Sequence, residues 1–241
     1  MEKGKIGEEI KIEPKVNTIW EIKEIADDFM NPLEIFREAI SNAYDAGAKE
    51  IDIQVYINKN NEYDNLTIKI SDDGKGMTEE QLRNFWNLGY SEKRNEEGEL
   101  IGSKGHGTTI YLKSKYIQVK TTSENDAFES ICINPSQSLR NNQNYSPKTK
   151  RIEKYEKTGT EITLEGYVQD ESDYKYFQQN VIKDYIMWFT KHGSFEKEIG
   201  KNNYADNIIK LKAFDESEAA ARARGSQAER GRGGKAGDGC H

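Results

Sequence analysis

The stretch PLEIFREAISNAYDAG, residues 32–47, decides how the chain is read. Phe36, Ala39, Ile40 and Ala43 recur at helical spacing and form a packing stripe. Pro32 suits a first helical position, Asn31 its cap and Gly47 the exit, so the spacing predicts a helix over 32–46. On the opposite face stand Glu38, Asn42 and Asp45. Their spacing of four and then three residues keeps them within roughly 60° of one another at 100° per residue. Such a triplet alone is most often a solvated stripe. A carboxylate one turn from an amide is nonetheless what a Mg-dependent hydrolase needs. Asn42 offers a neutral carbonyl oxygen to a hard cation, and Glu38 can take a proton from water.

Around this helix the chain alternates helical and strand patterns. A helix is expected at 18–29, and strands at 50–57 and 66–71 with NKNNEYDN as the hairpin loop. A short helix is expected over 78–87, capped by Thr78 with Glu80 and Gln81 in its first turn. A Gly-rich segment at 98–107 leads into a helix at 108–114. Further strands are expected at 116–122, 127–133 and 160–167, with a polar mobile loop or long hairpin between the last two. Residues 174–191 read as one amphipathic helix, with Phe177, Val181, Ile182, Tyr185, Trp188 and Phe189 on its apolar side. Strands joined by hairpins with helices collected apart imply an α+β sandwich of two layers. There is no βαβ alternation and no Walker A pattern, which disfavours P-loop and Rossmann enzymes.

Residues 1–200 are taken as one domain. Residues 201–214, with DNIIKLKAF at 206–214, are read as the start of a following domain in a longer protein. Residues 217–241 are dominated by Ala, Arg, Gly and Glu, and the tail is taken from 215. That segment reads as a disordered tail, vector-derived or frameshifted in preference to a native linker.

Bulk properties narrow the function classes. The chain has 241 residues, a formal net charge of −7 and 34% hydrophobic residues. The charge argues against a broad DNA-binding face. No apolar run reaches the roughly 18 residues of a membrane helix. The first residues carry no apolar signal core, so a cytoplasmic protein is expected. Two cysteines, Cys132 and Cys240, allow at most one disulfide, and with His106, His192 and His241 they make a poor zinc set.

Two further pieces carry chemistry. Asp72-Asp73-Gly74-Lys75-Gly76-Met77 follows a strand. Asp72 there is placed to accept a hydrogen bond, and its glycines permit a tight turn and the close approach of a flat ligand. Ile101-Gly102-Ser103-Lys104-Gly105-His106-Gly107-Thr108-Thr109 precedes an apolar helical stretch. Its glycines free successive N–H groups for an anion, and a helix N-terminus adds its dipole. His106, among glycines, is read as a backbone participant only.

In this order and spacing, the three pieces resemble the N, G1 and G2 boxes of the GHKL superfamily, the gyrase, heat-shock-90, histidine-kinase and MutL ATPases. Glu38-Ala-Ile-Ser-Asn42-Ala-Tyr-Asp45-Ala46 matches the N box, Asp72 to Gly76 the G1 box and Gly102 to Gly107 the G2 box. Gly159-Thr160-Glu161-Ile162-Thr163-Leu164 is similar to the family's late strand. Asn87-Leu88-Gly89-Tyr90-Ser91-Glu92-Lys93 is similar to the lid start of heat-shock-90-like and MORC-like domains.

The resemblance implies a Bergerat fold, a mixed and mostly antiparallel sheet with helices on one face and a mobile ATP lid over 77–108. It implies ATP and Mg²⁺ as ligands. Glu38 would be the general base and Asn42 the Mg²⁺ ligand, and Asp45 would share that face of the site. Asp72 would accept from the adenine amino group, supported by the Thr160 hydroxyl, and Gly76 and Met77 would border the base. Asn87 would open the lid. Lys93, Gly102 and the backbone of Gly105, His106, Gly107 and Thr108 would meet phosphate.

A nucleotide-dependent homodimer in a longer protein is the leading expectation, with no nucleic-acid or membrane partner on this segment. A histidine-kinase catalytic domain and a non-hydrolysing ATP-binding module are the alternatives. Asp45-Ala-Gly-Ala, the late Gly-Thr strand and the lack of an upstream phospho-acceptor hairpin speak against the kinase.

Overall fold

The computed structural model describes residues 17–57, 66–87, 107–167, 171–193 and 206–214. Helix α1 (Thr18–Asp28) starts where the Asn17 side chain accepts from the Trp20 N–H, and it buries Ile22 and Ala26. Helix α2 (Glu34–Asp45) begins two residues later than the sequence implies. Asn31 takes the Leu33 N–H on its side chain and the Glu34 N–H on its carbonyl. Pro32 and Leu33 therefore form a turn ahead of the helix. At the other end Gly47 adopts φ +77° while its N–H reaches Tyr44 O, which closes the helix where only a residue without Cβ sits easily. Ile35, Phe36, Ala39, Ile40, Ala43 and Tyr44 are buried, so the predicted packing stripe does face the core.

Seven strands form one sheet in the order β5-β4-β3-β6-β2-β1-β7. They are β1 (Glu50–Ile57), β2 (Leu66–Asp72), β3 (Tyr116–Thr122), β4 (Ala127–Ile133), β5 (Lys148–Arg151), β6 (Gly159–Glu165) and β7 (Ile208–Lys212). All pairs are antiparallel except β1 with β7. Alternation sorts the two faces. Ile51, Ile53, Val55, Ile68, Ile70, Ile117, Val119, Ile162 and Leu164 are buried against the helices. The opposite face is polar, with Lys69 on Glu161 at 2.8 Å and Gln118 on Glu129 at 2.8 Å. Helices therefore cover one face, the two-layer α+β arrangement that the sequence implied.

Helix α3 (Glu79–Trp86) opens with a capping box in which Thr78 and Gln81 exchange side-chain and backbone bonds. The stretch expected as a helix at 108–114 is a 3₁₀ segment, Gly107–Lys113, which buries Thr109, Ile110, Tyr111 and Leu112. The polar stretch expected as a loop or hairpin holds α4 (Pro135–Arg140) and the exposed strand β5, which hydrogen-bonds to β4. The helix expected at 174–191 is divided into a 3₁₀ turn, Glu171–Phe177, and α5 (Gln179–Phe189). The break falls at Gln178, whose extended backbone bridges to Phe214. α5 buries Ile182, Tyr185 and Ile186. Trp188 and Phe189, expected on the apolar side, are each 64% exposed because the last turn runs past the core.

Residues 206–214, expected to begin a following domain, hold the last strand of the sheet. β7 runs parallel to β1 with Glu50 opposite Ile208, and Asn207 Nδ2 donates to Ala48 O at 2.9 Å. This strand belongs to the same sheet, so the domain continues past residue 200. The hairpin loop at 58–65 and the tail from 215 lie outside the described residues. No helix among the described residues is long and apolar enough to cross a membrane.

Candidate functional site

The polar stripe of α2, the turn after β2 and the start of the 3₁₀ segment meet at one place. Glu38 is only 18% exposed, and its Oε1 lies 3.0 Å from Arg37 Nη2, which also holds Glu34 Oε2 at 3.0 Å. Burial pushes the Glu38 carboxyl above its usual range, and the Arg37 guanidinium opposes that rise. The carboxylate also abuts Gly107, where a Cβ would overlap Glu38 Oε2. That glycine is needed for close approach, whatever its backbone angles.

Asn42 and Asp45 are exposed on the same stripe, and Lys191 Nζ lies 3.5 Å from Asp45. Between them Tyr44 turns inward and its hydroxyl lies 2.5 Å from His192 Nδ1, which fastens α2 to the end of α5.

Asp72 ends β2 and accepts from the Gly74 N–H at 2.9 Å. Burial raises its carboxyl to about 6, against the lowering pull of backbone bonds from Gly74 and Thr160. Thr160 lies opposite Asp72 across the β2–β6 pair. Its hydroxyl lies 3.1 Å from Thr121 Oγ1, while its backbone faces Asp72. Thr121 Oγ1 also takes the Met77 N–H at 2.8 Å. Gly76, at φ +68°, is buried with Thr122 O where its Cβ would be.

Sequence reasoning missed Tyr111, which is 1% exposed. Burial raises its hydroxyl pKa most, then the charge of Glu38; the Asn42 amide lowers it and Asp72 raises it slightly. The Tyr111 hydroxyl makes no hydrogen bond of ordinary geometry among the described residues. In sequence it was hidden inside an apolar run, ThrIleTyrLeu at 109–112, where a tyrosine reads as core. Arg37 was missed too, because a basic residue beside the stripe looks like an ordinary surface charge.

Asn87, the C-cap of α3, and Thr108 line one small cavity with Phe85, Trp86 and Tyr145. The two flanks of the segment 88–106 are therefore adjacent. Lys93, Gly102, Gly105 and His106 fall inside that segment and lie outside the described residues.

A mostly antiparallel sheet covered by helices on one face, with an acid–amide stripe on a helix and a glycine turn after a strand, defines a nucleotide-binding domain of the Bergerat type. Residues 31–164 match the family described as histidine kinase-, DNA gyrase B-, and HSP90-like ATPase, and this match spans more than half of the chain. The chain belongs to that family, whose domains bind ATP. No curated protein matches the chain.

Proposed function

We propose that the domain binds Mg-ATP between α2 and the 72–77 turn and hydrolyses it. In this reading Glu38 is the general base, and the ATP-bound state drives lid closure and dimerisation of a longer protein. The observation that carries it is that three separate stretches of chain meet: Gly107 abuts Glu38 Oε2, and Gly74 lies against Ala46 at the end of α2 and against Asp72. The residues fit the ligand. The Tyr111 hydroxyl is buried without a hydrogen bond among the described residues, and such a group is one that a polar ligand would satisfy.

Each residue then has a task. Asp72 accepts from the adenine amino group, held in place by the Gly74 and Thr160 backbones. Asn42 would hold Mg²⁺ through its amide oxygen, with other ligands coming from phosphate oxygens and water. When bound, Mg²⁺ neutralises charge on the phosphates, which phosphoryl transfer needs more than covalent chemistry. Glu38 removes a proton from the attacking water. The Gly107 and Thr108 backbone lies beside Glu38 at the start of the 3₁₀ segment. Lys93, Gly105 and His106 retain the phosphate role that the resemblance implies.

Asp72→Asn tests the pocket. An amide donor opposite the adenine amino group leaves polar groups mismatched, at about 1–3 kcal/mol. Calorimetry is expected to show ATP affinity lower by about 10–100-fold. The same variant is expected to melt at a higher temperature without ligand. Asp72 titrates near 3.8 unfolded and about 6 folded. Folding is therefore penalised by roughly 3 kcal/mol above pH 6, and the penalty fades as pH falls to 3.8. Unchanged ATP affinity would remove Asp72 from the pocket.

Arg37→Ala tests the base. Arg37 holds the Glu38 pKa down against burial, so its loss raises that pKa further. A base must be ionised, so the acid limb of the kcat–pH profile is expected to move to higher pH. A limb that stays in place would show that Glu38 does not set the profile.

A further inference from the structure

We propose that the cleft between α1, α4 and the end of the 3₁₀ segment is a second ligand site, for a small amphipathic phosphate monoester. The cleft encloses about 600 Å³, within the range of small-molecule sites. None of Glu38, Asn42, Asp72 or Tyr111 lines it, so it is separate from the nucleotide site.

Its composition is unusual for this chain. Lys23 from α1, Lys113 from the 3₁₀ segment and Arg140 from α4 face one cavity, and Asp27 is the one carboxylate among the described lining residues. A surplus of two positive charges thus sits in one concavity of a chain whose net charge is −7. A phosphate monoester carries about −1.5 to −2 at neutral pH and matches that surplus, where a carboxylate supplies half.

The cations are available. Lys113 Nζ donates to Phe29 O at 2.9 Å, which takes one of its three donors. Lys23 and Arg140 form no ion pair among the described residues. Burial lowers the Lys113 pKa, while Asp27 and Glu34 oppose it, so its ammonium is partly stripped of water. An anion there meets less competition from solvent. The apolar part of the lining is Leu112, Leu139 and Ala26, all buried, with Met30 87% exposed at the edge. Inorganic phosphate would satisfy only the charges, and a neutral lipid only the apolar lining.

The site is independent of ATP hydrolysis, so its test is too. Calorimetry on the whole chain should compare octyl phosphate with octyl glucoside, octanoate and inorganic phosphate. Octyl phosphate is expected to bind at one site at least tenfold more tightly than each of the others. Arg140→Glu, at an exposed position, is expected to lower that affinity at least tenfold while ATP affinity and melting temperature stay unchanged. Lys23→Glu should repeat the loss from another element. Equal binding of octyl glucoside would reduce the cleft to an apolar groove. Equal binding of inorganic phosphate would reduce it to surface charge. Equal binding of octanoate, or octyl phosphate binding that is unchanged in both variants, would also overturn the proposal.

Discussion

Glu38→Ala is expected to lower the single-turnover rate of ATP hydrolysis by about 10²–10⁴-fold, the usual worth of a positioned base. ATP affinity is expected to survive, because in the proposed site it is Asp72, held by the Gly74 backbone, and not Glu38, that meets the adenine. The loss would not come from collapse. Glu38 is not among the residues of the hydrophobic core cluster, and its removal relieves a carboxylate that burial already disfavours. Gly107→Ala provides the complementary variant. Its Cβ would displace the tip of a flexible side chain and leave the backbone untouched, so the fold is expected to persist while the base moves. Rates and ATP affinity should be measured side by side in the parent and in both variants. If Glu38→Ala hydrolyses ATP like the parent, the enzyme reading fails and a non-hydrolysing binding module takes its place.

Gly76→Ala is expected to cost about 2–5 kcal/mol of folding stability. Two penalties add. A non-glycine residue at φ +68° is strained by about 1–2 kcal/mol, and forcing a methyl into a packed site costs about 1–3 kcal/mol more. The obstacle is the Thr122 carbonyl, which is backbone and cannot swing aside. Moving it would also disturb Thr121, whose hydroxyl takes the Met77 N–H. Gly47→Ala is the control. Gly47 has a similar φ of +77° but nothing within 4 Å of its Cβ position, so only the first penalty applies. Urea unfolding of the two variants separates strain from overlap. Equal losses would mean that the close approach at Gly76 has no energetic weight.

Much of the fold was legible because local chemistry and global packing agree in it. The α2 stripe, the Thr78 cap and the alternation in β1 and β2 each carry a period or a motif that one sequence displays. What was not legible depended on a distant partner. Lys148–Arg151 is wholly exposed and polar, and it is a strand only because β4 offers it an edge. Gln178 interrupts a helical pattern because Phe214 bridges to it from 36 residues away. The pattern of IIKLK shows a strand but not that its neighbour is β1.

In the candidate site, Glu38, Asn42 and Asp72 lie on regular elements that the sequence pattern displays. Tyr111 and Arg37 were missed because their surroundings, and not their neighbours in sequence, give them significance. The partner of the Thr160 hydroxyl was hidden for a related reason. In an antiparallel pair the backbone faces the partner strand, and the hydroxyl found Thr121.

The parallel pairing of β7 has a mechanical side. Tension carried along the chain beyond residue 214 would run along the strand axis and load its five register pairs with β1 together, in shear. A hairpin strand would give up its bonds one at a time, like a zip. The anchored end matters as much, since Asn207 and Ile208 grip Ala48 and Lys49 just after α2 ends. A pull there reaches the helix that carries Glu38 through a few residues of extended chain. The strand is thus a stiff tether on the site's own helix.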